Sequence, residues 1–415
     1  MDKYRLVCPV CKSRYPPEYA SACPQHDSLL HTEYAKRQFS PKKTPGLWRF
    51  IDWMPVEKPS NDAAGPVTYR SEGLARELGL TNLYISFNGY WPEKKALNTS
   101  ATFKEYEAVV TLQRMKEYSI QHLVVASAGN TARAFLQVAQ RAKVHVIAVV
   151  PQDSMTHLWS LNENQGNITI ISVTRSDYFD AIEVANRLYK AAHFVSEGGA
   201  KNIGRRDGMA SVVYDAASVI KDIPQHYFQA IGSGTGAIGA LEGARRLAAS
   251  GAFKNSAMRL HLSQNIPFAP IVSAYTRGSN IIDPKTDMHE KDTARVVASM
   301  LTNRRPPYTV PGGTYHALRE SDGRVYGITN KDVARAQETF QHTEGMDVVP
   351  ESGVAIASLE RAITDGEVAK GESVLLNLTG GGINNLRRDQ KVYYLKASYD
   401  IKKTVSDNEL RSLFM

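Results

Sequence analysis

Cysteine is scarce in this chain of 415 residues: three occur, and all lie before residue 24. An odd, clustered set excludes a disulfide framework, and a remainder with no cysteine fits a reducing compartment. Long apolar runs are also missing, since no stretch approaches the ~20 residues that a membrane helix needs. The start, Met1-Asp2-Lys3-Tyr4-Arg5, leads into polar sequence with no apolar signal core. A cytoplasmic protein is therefore expected. Charge runs are absent as well. The formal net charge is +8, but lysine and arginine are dispersed and no nucleic-acid-binding motif occurs. A basic balance of this kind suits anionic small molecules, and equally solubility alone. HExxH, GxSxG and EF-hand patterns do not occur.

What remains is a globular composition, with 42% hydrophobic and 22% charged residues. At ~100–200 residues per domain the length suggests two or three domains. The first 40 residues stand apart, rich in Cys, Pro and Tyr. Their spacing is Cys8-x2-Cys11, then eleven residues, then Cys23-x2-His26. Two such knuckles can offer three thiolates and one imidazole to a structural zinc ion, with no open position for catalysis.

From about residue 80, short apolar β-branched runs alternate with helical patterns. Leu83–Phe87, Leu123–Ala126, Val144–Val150, Ile168–Val173, Phe228–Ile231, Leu260–Leu262 and Val374–Leu378 read as strands. Phe103–Tyr118, Thr131–Ala142, Asp177–Lys190, Ala237–Ala249, Lys331–Phe340 and Gly353–Ala362 read as helices. Continuous apolar strands separated by helices predict parallel sheets covered on both faces, the α/β class. Residues 283–311 are polar and weakly periodic, and read as loops with short helices. His122, His145, His193 and His261 sit beside or within apolar strands and read as packing residues.

Four constellations carry chemistry. In Asn98-Thr99-Ser100-Ala101-Thr102-Phe103-Lys104, a turn of small and hydroxyl residues ends in a lysine at a helix start. That position opposes the helix dipole, and with burial it lowers an amine's pKa, as an imine-forming or base lysine requires. In Ala126-Ser127-Ala128-Gly129-Asn130-Thr131, a tight turn opens a helix whose first amides can bind an anion, and Asn130 can offer its amide to a ring hydroxyl. Gly232-Ser233-Gly234-Thr235-Gly236 exposes consecutive backbone amides before a helix, a cradle for phosphate. It contains a GxGxxG match through Gly239, but the next strand ends in Ser263-Gln264-Asn265 without the acid that a dinucleotide ribose needs. Finally, Leu378-Thr379-Gly380 places a hydroxyl at the C-terminal end of a strand, where α/β sheets bind ligands.

In this order the four constellations resemble the threonine synthase family of pyridoxal-phosphate enzymes, with the tryptophan-synthase-β-like fold. The lysine motif is similar to that family's Asn-Pro-Thr-Gly-Ser-Phe-Lys, and residues 127–131 to its Ser-Thr-Gly-Asn-Thr. The cysteine knuckle also occurs in some members. The resemblance implies two three-layer α/β domains with mainly parallel sheets, beside a small zinc-ribbon-like segment. Their expected ranges are 1–40 for that segment, 41–105 with 201–415 for a large cofactor-binding domain, and 106–200 for a smaller inserted one. It further implies that Lys104 carries pyridoxal 5'-phosphate as a Schiff base and moves the α-proton. Asn130 would bond the ring hydroxyl, the amides of Gly232, Ser233, Gly234, Thr235 and Gly236 the phosphate, and Thr379 the pyridine nitrogen. Ser127, Ala128 and Thr131 would face the substrate carboxylate.

The chain departs from the family pattern beside the reacting carbons. Ser100-Ala101 stands where Thr-Gly is usual, Lys104-Glu105-Tyr106 replaces Lys-Asp-Arg, and Lys94-Lys95 precedes the turn. The whole is most similar to an archaeal, cysteate-forming branch of the family. That similarity implies β-replacement of phosphate on O-phospho-L-serine by sulfite, giving L-cysteate for coenzyme M synthesis. Two anionic reactants need cations, for which Arg70, Lys94, Lys95, Lys201, Arg205 and Arg206 are candidates. Arg205 leads, because Asn202-x-x-Arg205 resembles the family's Asn-Pro-x-Arg. Threonine synthesis from O-phosphohomoserine, and ligand binding without turnover, stay open as alternatives. Partners other than small molecules are not expected, and the sequence leaves a homo-oligomer open.

Overall fold

The structure, a computed structural model, describes residues 2–17, 22–127 and 129–414. Two sheets organise it. The larger has six strands in the order Arg324–Ile328, Arg259–Asn265, His226–Ala230, Val374–Leu378, Leu83–Phe87 and Val67–Arg70. All neighbours are parallel except the last pair, where Val67–Arg70 runs antiparallel to Leu83–Phe87. The strands His226–Ala230 and Val374–Leu378 are buried at every residue, and Leu83–Phe87 at all but Tyr84, as expected of strands between two helical layers.

The smaller sheet is all parallel, in the order Val195–Ser196, His122–Ala126, His145–Pro151, Ile168–Thr174 and Tyr399–Lys402. Its last strand departs from the expected partition, which gave all of 201–415 to the large domain. Tyr399–Lys402 extends the small sheet, and Leu410, on the helix Asp407–Ser412, packs into that sheet's apolar cluster. Tyr399–Lys402 is short and mostly exposed, so it carries no buried-strand pattern.

The longest helix, Ile203–Ile220, has no counterpart among the helices expected from periodicity. It is buried on nearly every face, packed between the helices Lys104–Glu117 and Thr235–Ala249. A helix buried all round loses the one-sided apolar stripe by which helices are read.

The N-terminal segment forms a three-stranded antiparallel sheet of Tyr4–Val7, Arg14–Tyr15 and His31–Tyr34. Thr32 Oγ1 and Tyr34 OH both donate to Asp207 Oδ2 at 2.7 Å. The fully buried Arg206 donates to the carbonyls of Leu30 and Ala200 and pairs with Glu242 at 3.2 Å. The segment is thus docked on the long helix beside Arg205. Among the described residues no helix is long and apolar enough to cross a membrane.

Candidate active site

Lys104 is the first residue of its helix. The turn before it is tied to the end of the strand Val374–Leu378: Phe103 N donates to Thr379 O at 3.0 Å, and Gly381 N to Ala101 O at 3.3 Å. Within the turn, Glu105 accepts from Ser100 N at 2.7 Å, Ser100 Oγ at 2.8 Å and Thr99 Oγ1 at 2.7 Å. Buried carboxylates in the first turn complement the helix dipole and hold the lysine loop closed.

Asn130 starts the helix Asn130–Ala142 at the C-terminal end of the strand His122–Ala126. Arg133 donates to Asn130 Oδ1 at 2.9 Å and to Ser100 O at 3.1 Å. With its oxygen held, Asn130 presents its amide nitrogen as the donating end. Burial pulls the Arg133 guanidinium down to about 10.

The glycine loop follows the strand His226–Ala230 and opens the helix Thr235–Ala249. Thr314 Oγ1 donates to Ser233 O at 3.1 Å and pins the loop. The first i→i−4 bond of the helix comes from Ile238 N to Gly234 O, at 3.0 Å. The amides of Gly236 and Ala237 precede it and belong to the unsatisfied donors of a helix N-terminus.

These loops converge. Lys104, Ser127, Asn130, Thr131, Arg205, all five residues Gly232–Gly236, and Thr379 line one cavity between the C-terminal ends of the two sheets. Ala128 lies outside the described residues. Burial lowers the Lys104 ammonium from the ordinary lysine value, opposed by Glu107, whose Oε2 is 3.4 Å from Nζ. Burial also pushes the Glu107 carboxyl up, opposed by Arg205 and Lys104.

Arg205 is placed differently from a free anion receptor. Its Nε is 2.9 Å from Glu107 Oε2, an ion pair by distance without hydrogen-bond geometry, and its Nη1 donates to Glu197 Oε2 at 2.9 Å. The other cations expected near the substrate do not line the cavity. Lys94 sits over the rings of Tyr69 and Trp91, Lys201 pairs with Asp27 and Arg70 donates to Thr81 O, while Arg206 holds the N-terminal segment.

The cavity has further walls that motif reading did not supply: Tyr178, Gln229, residues 299–303 and Glu351. Burial raises the Glu351 carboxyl. Glu107 was within reach of sequence, three residues after Lys104 on an expected helix. Residues 299–303 lie in a polar stretch with no periodic signal.

In the N-terminal segment the ligand atoms of Cys8, Cys11, Cys23 and His26 all lie within 4.8 Å of one another. Cys11 Sγ is 4.0 Å from Cys23 Sγ, which is 3.7 Å from His26 Nδ1. A tetrahedral zinc ion with ~2.3 Å bonds sets its ligands about 3.8 Å apart, so the donor set and spacing fit that ion.

The family of pyridoxal-phosphate dependent enzymes matches residues 69–380. Proteins named cysteate synthase match nearly end to end, among them two from Methanosarcina species. That of Methanosarcina barkeri is 44% identical over 95% of this chain and 96% of its own. That of Methanosarcina mazei is 42% identical over 99% and 100%. The chain is a pyridoxal-phosphate-dependent enzyme of the cysteate synthase family. Among solved structures, maize serine racemase shares the fold, with a TM-score of 0.60 at 13% identity over 78% of this chain and 90% of its own.

The cavity fits the cofactor of this family. A Cβ on Gly236 would stand 2.8 Å from Gln229 Nε2 and 2.9 Å from Phe103 Cε2. Gly234, at φ +78°, would set a Cβ 2.3 Å from Thr314 Oγ1. The loop is packed so closely behind that side chains are excluded, and its amides are what it can offer a phosphate. A buried lysine with a depressed pKa is the matching group for an aldehyde.

Proposed function

We propose that the enzyme replaces the phosphate of O-phospho-L-serine with sulfite, giving L-cysteate and inorganic phosphate. What carries this reading is one cavity lined by Lys104, Asn130, the glycine loop and Thr379, in a chain 44% identical to a cysteate synthase.

Pyridoxal phosphate, when bound, supplies an electron sink that acidifies the α-proton and lets the β-substituent leave. Lys104 would hold its aldehyde carbon, and its free amine would take the substrate α-proton and return one to the same carbon. The amides of Gly232, Ser233, Gly234, Thr235 and Gly236 hold the phosphate, and Asn130 donates to the ring hydroxyl. Thr379 would offer the ring nitrogen a neutral hydroxyl rather than a carboxylate, which would moderate the sink. Ser127, Thr131 and the neighbouring Ala128 take the substrate carboxylate. Arg205, offset by two carboxylates, serves the substrate phosphate and sulfite as a directed donor rather than as a net positive charge.

The test is a product assay on the holoenzyme. O-phospho-L-serine with sulfite should release phosphate and L-cysteate in equal amounts, with little release when sulfite is left out. Faster phosphate release from O-phosphohomoserine with water, yielding threonine, would overturn the proposal.

A further inference from the structure

Glu107 is a fully buried acid that the proposed reaction leaves without a task. Its side chain is 0% exposed. Oε2 lies 3.4 Å from Lys104 Nζ and 2.9 Å from Arg205 Nε, and Oε1 has no hydrogen-bond partner. A carboxylate three residues after Lys104 on the same helix stands beside the lysine, because i and i+3 share a face. The groups that face Lys104 come from three places: Glu107 on its own helix, Arg205 on the helix Ile203–Ile220 and Glu197 just before it, while Tyr178, at the start of the helix Tyr178–Ala191, faces the same three groups.

We propose that Glu107 is the proton-holding partner of Lys104: it holds the ammonium that Lys104 becomes on taking the α-proton, and keeps it beside the substrate until the proton returns. This rests on the assignment of Lys104 as the cofactor lysine. Charge balance in the cluster supports it. With Lys104 protonated, two cations face two carboxylates. With its nitrogen neutral or tied to the cofactor, Arg205 alone faces Glu107 and Glu197, and the unpartnered Oε1 of Glu107 is the place for a proton. Burial favours the neutral form of both Lys104 and Glu107, and Glu107 Oε2 stands 3.4 Å from Nζ, where a proton can pass between them. The step balances within the site. The Cα–H bond breaks with its electron pair left on carbon, the proton binds Nζ against Glu107 Oε2, and the same count returns to Cα.

Glu107→Gln keeps the shape and removes the charge, and Glu107→Asp keeps the charge but draws it back. Glu197→Gln removes the other carboxylate on Arg205, which acts on Lys104 more weakly than Glu107 does. The first readout is the pH dependence of Lys104 acylation by acetic anhydride in the full-length, cofactor-free chain, located by peptide mass. Loss of the carboxylate lowers the lysine pKa, so the Glu107→Gln midpoint should fall by about one unit or more. The Glu107→Asp shift should be smaller, and the Glu197→Gln shift smaller than that of Glu107→Gln. The second readout is the pH profile of the holoenzyme on O-phospho-L-serine and sulfite. Glu107→Gln should lose about tenfold or more in kcat with KM little changed, partly regained in Glu107→Asp. An unchanged Lys104 midpoint in Glu107→Gln overturns the proposal, as do equal shifts in the two glutamine variants, which would reduce Glu107 to an anchor for Arg205. A borohydride label on another lysine overturns the assignment beneath it instead, whatever the midpoints.

Discussion

The amide of Phe103 donates to the carbonyl of Thr379 across 3.0 Å, so the loop that ends in Lys104 and the loop that ends the strand Val374–Leu378 form one unit. Within that unit Ala101 is fully buried at φ +53°, a left-handed conformation at the place where the threonine synthase family has glycine. Such a conformation costs a non-glycine residue roughly 1–2 kcal/mol. Ala101→Gly removes that cost but gives up a buried methyl worth ~0.8 kcal/mol and gains unfolded-state freedom. Its melting temperature should stay within about 3 °C of the parent. Ala101→Val, branched at Cβ and crowded by the same loop, should lose more than ~2 kcal/mol and bind cofactor poorly. Thermal melts decide it, and a valine variant as stable as the parent would contradict the strain argument.

Arg205 bridges Glu107 and Glu197 in a buried site. Truncating it to alanine strands two carboxylates, a loss of roughly 3–5 kcal/mol. Arg205→Ala should therefore lower the unfolding midpoint in urea as well as raise KM for the phosphorylated substrate. Arg205→Lys, which keeps the charge but not the two-sided geometry, should spare most of the stability while still raising KM. An alanine variant with unchanged stability would mean that the ion pairs do not form.

The strands that position the site were legible because they are largely buried. Leu83–Phe87 and Val374–Leu378 are mostly apolar, each with one polar residue, Ser86 and Asn377, and the turns that end them carry the chemistry. Lys104, Asn130, the glycine loop and Thr379 could be picked out because each stands where a strand gives way to a helix or turn. The helix Ile203–Ile220 could not be read, since burial on nearly every face erased its periodicity. Arg205 was found by its motif, but its pairing with Glu107 depends on helices nearly a hundred residues apart in sequence, a relation that spacing does not encode. The same holds for residues 299–303, brought over the cavity by a long polar loop.

His261 should make the fold sensitive to acid. It is buried, stacked on Phe228 at 4.2 Å, and bonded to His226 at 2.9 Å and Tyr326 at 2.8 Å. Burial holds its pKa down to about 2, against 6.5 for the free side chain. Below pH 6.5 the unfolded chain takes up a proton that the native state refuses, so stability falls as pH falls, by about 2 kcal/mol at pH 5. Burial also lowers His226, which acts in the same direction. Urea titrations of the parent and of His261→Gln at pH 7 and pH 5 should show a smaller pH loss in the variant, whatever its absolute stability. Equal losses would assign the acid sensitivity elsewhere.

The Cys8, Cys11, Cys23 and His26 cluster predicts one zinc ion per chain. Because the segment reaches Asp207 through Thr32 and Tyr34, next to Arg205, loss of the metal should be felt in global stability. Cys23→Ser should abolish the zinc measured by atomic absorption and lower the melting temperature by about 5 °C or more. A chain without metal, and a variant that melts with the parent, would remove zinc from the account.

The central claim is that Lys104 carries the cofactor, and its most direct test is borohydride reduction of the cofactor-loaded enzyme followed by peptide mass mapping. The account predicts a single pyridoxyl-phosphate label on Lys104, absent from Lys104→Ala loaded under the same conditions. A label on any other lysine, or an equal label in Lys104→Ala, would contradict it.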